Sequence, residues 1–192
     1  MTINAFTLHD TATAPAASAD ILENVQKAWG FVPNLHRVLA ESPAALEAYA
    51  TLWGIAEKTG FTPVERNIAY LSIIYENECT YCMAGHSNLS RMVKVEEDHI
   101  AAIRDGRPVS DARLEALRIF AAAVTRNRGV VSDAAVAAFK AAGYDNRAIL
   151  DVLVLAATKL ISNYANHLAD TPLDPFMKGS EWTAPGKLKA SV

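Results

Sequence analysis

Residues 62–91 read TPVERNIAYLSIIYENECTYCMAGHSNLSR. The opening Thr62-Pro63-Val64-Glu65 is a helix start. It has a hydroxyl N-cap, a proline where the helix needs no N–H, and a glutamate three residues on that can close a capping box. Ile68, Leu71, Ser72 and Tyr75 then recur at helical spacing on one face. The pattern weakens at Glu76-Asn77, and a second helix is expected from about Cys79. That second helix would hold both cysteines of the chain, Cys79 and Cys82, with His86 four positions after the second. Residues three and four apart share a helix face, so all three lie on one stripe. The two thiols sit near the helix start, where unpaired N–H groups and the dipole favour a thiolate, and His86 is one turn from Cys82.

Outward from this segment the chain continues to read as helix. Asp20 can cap 21–29 up to Gly30. A Pro-initiated turn and a short helix follow in 31–40. Ser42-Pro43 starts a helix running to Gly60, with Leu46, Tyr49, Leu52, Trp53 and Ile55 on one stripe. Further helices are expected over 95–105, 110–128, 132–142 and 145–169, the last stopped by Pro172 and Pro175. Period-two alternation is not sustained anywhere, so the fold class is all-α. Residues 1–19 read as a loosely ordered arm, 20–171 as one helical domain and 172–192 as an extended tail. Sliding the sequence by 81 residues lays 66–86 on 147–167 with His86 on His167, which suggests a duplicated helical unit.

Composition narrows the function. The 192 residues are 51% hydrophobic, enough for one domain with a real core. A formal charge of −3 disfavours a nucleic-acid partner. No uninterrupted apolar run reaches the roughly 20 residues of a membrane span; the most apolar stretch, 148–161, carries Asp151 and Lys159. The first residues lack the basic segment and apolar run of a signal peptide, so a reducing cytoplasm is the expected compartment. There a close cysteine pair is redox-active or metal-binding more often than it is a structural disulfide.

Three readings of the motif compete. In one, the cysteines are small core hydrophobes and His86 is a satisfied core residue. In another, Cys79, Cys82 and His86 bind zinc with His167 or Glu78 as fourth ligand, although no second Cys/His cluster exists. In the third, the thiols do redox chemistry, which needs only what is present. Trp29, Trp53 and Trp182 read as packing residues and Arg91 as solvated.

The segment 62–91 resembles the core of the alkylhydroperoxidase AhpD-like / carboxymuconolactone decarboxylase family, in its peroxidase-related branch. The late NYANHLADTPLD, 163–174, is similar to that branch as well. The resemblance implies an AhpD-like helical domain and a thiol-dependent peroxidase acting on small hydroperoxides. Cys82 would be the peroxidatic thiolate, Cys79 the resolving thiol and His86 the proton carrier. The implied partners are an external dithiol or lipoyl-type reductant and further copies of the chain, as a trimer, hexamer or dimer; no bound cofactor or metal is implied. Two positions depart from the family. Asn67 stands where a relay glutamate is expected, and Tyr81 stands where a histidine lies between the cysteines. Glu78 could polarise the site, and His167 is expected to assist if the duplicated unit packs against the first. The alternatives are a non-peroxidatic zinc- or ligand-binding helical module and a general thiol–disulfide oxidoreductase. The paired thiols point away from the lactone decarboxylase branch.

Overall fold

Nine α-helices and one short 3-10 turn make up the described residues, 6–186, of the computed structural model, and no strand occurs among them. In chain order they are α1 (Ala16–Trp29), α2 (Asn34–Leu39), α3 (Pro43–Ala56), α4 (Pro63–Glu76), α5 (Thr80–Met92), α6 (Glu97–Arg104), α7 (Ala112–Arg126), α8 (Asp133–Ala141) and α9 (Asn146–Ala169); the 3-10 turn is Pro175–Met177.

Local chemistry sets the starts. The side chains of Ser42, Thr62, Asp111, Ser132 and Asp145 each accept the N–H three residues ahead. Thr62 and Glu65 form the expected capping box. Glu65 also accepts from the Arg113 guanidinium and the Tyr144 hydroxyl, which fixes α4 against α7 and the segment before α9.

α4 is the centre of the bundle. Every residue from Glu65 to Ile74 is buried, as expected of a helix covered on all sides, here by α5, α6, α7 and α9. The chain then reverses through Asn77 and Glu78. Glu78 takes a left-handed φ of 52°, which returns α5 along α4 and places Cys79 at its start. α9 runs 24 residues and also packs on α3, α4 and α5. By length and composition it is apolar enough to cross a membrane, yet its buried face carries Lys159, Ser162, Asn163 and Asn166.

Several expectations are corrected. α1 begins at Ala16, four residues before Asp20, with Pro15 at its N-cap. On α3 the inward stripe is Leu46, Tyr49 and Ala56 with Trp53 partly buried, while Ile55 is 40% exposed. The duplicated unit is not repeated in three dimensions. Residues 66–86 span two helices and a reversal, whereas 147–167 lie within one unbroken helix.

The described part of the arm is held down: Arg37 donates to the carbonyls of Leu8 and His9, and the His9 imidazole meets Glu41. Residues 1–5 of the arm lie outside the described residues. The tail folds back on its own chain. Asp174 accepts from the Asn34 N–H and the Tyr81 hydroxyl, Met177 is buried, and Trp182 donates to the Arg104 carbonyl. Residues 187–192 of the tail lie outside the described residues.

Candidate active site

Cys79 is the N-cap of α5 and its Sγ accepts the Cys82 N–H at 3.4 Å. Cys82 follows in the first turn, so both sulfurs face the same side of the helix start. Both thiols are free and buried, Cys79 wholly and Cys82 with 3% exposure. The two behave oppositely. Burial pushes the Cys79 thiol up, and its Cys82 neighbour pushes it further. Burial also acts upward on Cys82, but it is outweighed there. A hydrogen bond from Cys79, the Lys159 ammonium and the amides of Asn166 and Asn163 bring that thiol down to about 6. Cys82 is therefore the more acidic thiol of the pair, and Cys79 the one that holds its proton more tightly.

Lys159 is the group that the sequence reading did not place. It is 1% exposed, and its Nζ lies 2.8 Å from His86 Nε2. It also stands 4.8 Å above the Tyr70 ring and 5.2 Å above Trp53, so π-faces replace part of its lost hydration. Burial lowers its pKa while Cys82 and Cys79 raise it again, as expected for a cation held by a thiolate. His86 is driven well below its ordinary range by burial and by Lys159, and is neutral. An imidazole that accepts from an ammonium through Nε2 carries its proton on Nδ1. That Nδ1 is buried without a hydrogen-bond partner. His86 thus lies on the cysteine stripe as expected, but its hydrogen bond goes to Lys159.

The same face of α9 supplies Asn166, whose Nδ2 donates to Cys82 Sγ at 3.2 Å. Asn163 accepts from the Asn77 amide at the α4–α5 reversal. Positions 159, 163 and 166 follow i, i+4, i+7 spacing and point to one side. His167 is one step further round and exposed, so the expectation that it enters the pocket is corrected in favour of its neighbour. Asn67 stays apart from the thiols: its amide donates to the Pro63 carbonyl, and its oxygen accepts from Ser90. Tyr81 lines the pocket as a wall, with its hydroxyl donating to Asp174 and accepting from the Leu35 N–H. Glu78 is buried at the reversal.

Over Cys82 lies a cavity of about 40 Å³. Trp29, Tyr49, Trp53, Tyr81 and Phe176 give it an aromatic wall, and His36, His86 and Lys159 are its polar groups. Trp29 and Trp53 are thus pocket residues rather than packing alone. Trp182 packs against Tyr75 as expected, and Arg91 is half-exposed in a forked pair with Glu97. His36 is held neutral: burial and Lys159 lower it to about 4. Among the described residues, no three His, Cys, Asp or Glu side chains are arranged to hold a metal ion, so the ligand set of the zinc reading is not assembled.

A sequence signal for Lys159 existed. It is one of two charges in the most apolar stretch, 148–161, with asparagines four and seven residues further on. A cation at such a position needs a partner, and the thiolate is one.

Residues 43–110, from the start of α3 into the loop before α7, match the carboxymuconolactone decarboxylase family. No curated protein sequence matches the chain. Among solved structures, a peroxidase-related protein with an alkylhydroperoxidase AhpD core from Ralstonia eutropha JMP134 superposes with a TM-score of 0.80 at 20% identity, over 92% of this chain and 95% of that one. A peroxidase-related protein from Silicibacter sp. TM1040 gives 0.71 at 21%, over 90% and 94%. The debrominase Bmp8, as a variant in complex with 2,3,4-tribromopyrrole, gives 0.76 at 16%, over 94% and 97%. These likenesses carry the fold, and with the family match they uphold the resemblance read from the cysteine motif.

Proposed function

We propose that this chain, AhpD-like in fold and matching the carboxymuconolactone decarboxylase family over residues 43–110, is a thiol-dependent peroxidase with Cys82 as its nucleophile. The supporting observation is the lowered Cys82 thiol, bonded by Cys79 and facing Lys159 under an aromatic cavity. The Cys82 thiolate attacks one oxygen of a hydroperoxide ROOH and breaks the O–O bond. This gives Cys82 sulfenic acid and RO⁻. The Lys159 ammonium, made more acidic by burial, supplies the proton that turns RO⁻ into ROH. The Cys79 sulfur then displaces hydroxide from the sulfenic acid. Its own proton completes a water, and the Cys79–Cys82 disulfide forms. An external dithiol restores both thiols by exchange and is itself oxidised to a disulfide. Lys159 with His86 here takes the place of the relay that Asn67 cannot provide.

The aromatic wall supports a second reading, in which the thiolate takes a halogen from an electron-rich haloaromatic ring. Cys82 becomes a sulfenyl halide, and the ring carbanion takes a proton from Lys159. Cys79 then releases halide and a proton as the disulfide forms. The reaction of the debrominase Bmp8 makes this the reading to test beside the first.

Stopped-flow mixing of reduced protein with hydrogen peroxide and cumene hydroperoxide, beside Cys82→Ser, tests the first reading. Wild type should consume one equivalent and gain an intramolecular disulfide by mass, while Cys82→Ser should do neither. Halide release from a bromopyrrole without peroxide consumption would replace the first reading with the second. Thiols inert to both would refute the two together.

A further inference from the structure

Beside the sulfur, three polar groups line the cavity over Cys82, and they differ in what they offer a molecule that enters. The Lys159 ammonium has donors alone. His86 spends its Nε2 lone pair on that ammonium, so its Nδ1 carries a proton and donates too. His36 is different. It lies on α2 with its ring against those of Trp29 and Tyr49 and is 7% exposed. Its Nδ1 is buried without a hydrogen-bond partner. Buried polar side chains nearly always find partners, so an orphaned one on a residue at a cavity wall calls for a reason. Burial and Lys159 keep this imidazole neutral at pH 7. A neutral imidazole has one nitrogen that accepts, and with Nδ1 unpartnered that nitrogen is free to be the acceptor.

We infer that His36 receives the O–H of the substrate and thereby aims the oxygen that bears it at Cys82. The inference rests on the peroxidase reading and adds a substrate requirement to it, a free O–H on the oxygen that is attacked. The cavity of about 40 Å³ has room for about three water-sized groups. That suits the two oxygens and the first carbon of a hydroperoxide, with the rest of R against the aromatic wall. With its O–H given to His36, the terminal oxygen meets the thiolate as an electrophile and not as a proton donor. The leaving oxygen is left to Lys159. In the step the S–O bond forms as the O–O bond breaks, so sulfur is oxidised and the peroxide reduced. The O–H proton stays on the terminal oxygen in the sulfenic acid, and Lys159 protonates the alkoxide. His36 keeps its own proton throughout, so it is a binding group and neither acid nor base.

Two measurements on the reduced full chain test this. The first needs no turnover. Isopropanol and acetone are nearly alike in size and both offer an oxygen to Lys159, but only the alcohol has an O–H to give. In nitrogen NMR of protein carrying isotope-labelled histidine, isopropanol should shift the His36 ring signals, which are identified by their absence from His36→Phe. Acetone should leave them in place. The second measurement is the rate of Cys82 oxidation by tert-butyl hydroperoxide. His36→Phe should slow it by about tenfold, and His36→Asn, whose amide oxygen stands near the Nδ1 position, should recover most of the loss. Both variants should keep the wild-type circular dichroism and the wild-type pH midpoint of Cys82 alkylation by iodoacetamide, because His36 acts on the substrate and not on the thiol. A His36 signal moved by both probes alike, or by neither, would overturn the inference. So would a His36→Asn as slow as His36→Phe. Equal peroxide rates in wild type and His36→Phe would overturn it while the peroxidase reading stands. Wild type inert to peroxide, with His36 still shifted by isopropanol alone, would refute the peroxidase reading and still support His36 as the acceptor.

Discussion

At the residue scale, the site rests on the buried Lys159 ammonium, whose charge lowers the Cys82 thiol. Lys159→Met keeps the length of the side chain and removes its charge, leaving the Cys82 thiolate without its cation. The thiol should rise from about 6 by roughly two pH units, so its thiolate fraction at pH 7 should fall about tenfold. The pH profile of alkylation by iodoacetamide measures this directly. An unmoved midpoint would mean that Cys79 and the asparagine amides suffice. His36 makes a second prediction of opposite chemistry. Its folded pKa of about 4 lies below the 6.5 of a free imidazole. Above 6.5 the ring is neutral in both states. Below that the unfolded chain takes a proton and the buried ring does not, until pH 4. Stability from this group is therefore complete above 6.5 and falls away down to about 4, by roughly 3 kcal/mol in all. His36→Phe keeps the ring contacts with Trp29 and Tyr49 and should flatten urea-unfolding stability over that window relative to wild type.

At the element scale, caps and reversals place the helices, and the tail closes the site. Tyr81 joins α5 to the tail through Asp174, whose carboxyl is pushed up by burial. Tyr81→Phe removes the donor but keeps the ring on the pocket wall. The tail should then open more often, with faster proteolysis within 172–186 and a global stability loss of about 1–3 kcal/mol for the hydroxyl donor lost to the carboxylate. Equal proteolysis in both proteins would show that the Asn34 contacts hold the tail alone. What the sequence made legible follows this division. Thr62, Ser42, Ser132 and Asp145 could be read as caps because capping is a contact within three residues. The Cys79–Cys82–His86 stripe could be read because it lies within two turns of one helix. The Lys159 bond to His86 spans 73 positions and the Asn166 bond to Cys82 spans 84, and nothing local encodes such pairings. Aligning two helical stretches by residue identity points to His167, because it overlooks which face each position takes.

At the scale of the whole molecule, oxidation and stability are coupled through α9. In the reduced protein a buried ammonium on α9 faces a buried thiolate on α5, and the Asn166 amide ties the same two helices. Forming the Cys79–Cys82 disulfide removes the anion and leaves Lys159 buried beside a neutral sulfur. It also takes up the Cys79 sulfur that caps α5. Breaking a buried pair by removing one partner costs about 3–5 kcal/mol when the remaining charge has no other counter-ion. Loss of the ammonium proton lessens that cost, and burial already pushes Lys159 in that direction. The oxidised protein should therefore be less stable than the reduced one, although it gains a covalent bond, because so short a closed loop restricts the unfolded chain little. In the disulfide form Lys159 should stay without the proton it gave to RO⁻. Guanidinium unfolding of the two redox forms at pH 7 measures the difference, and Lys159→Met should remove most of it, since both forms of that variant lack the cation. An oxidised form that is the more stable of the two, or a redox difference untouched by Lys159→Met, would show that the ammonium and the thiolate are not energetically paired.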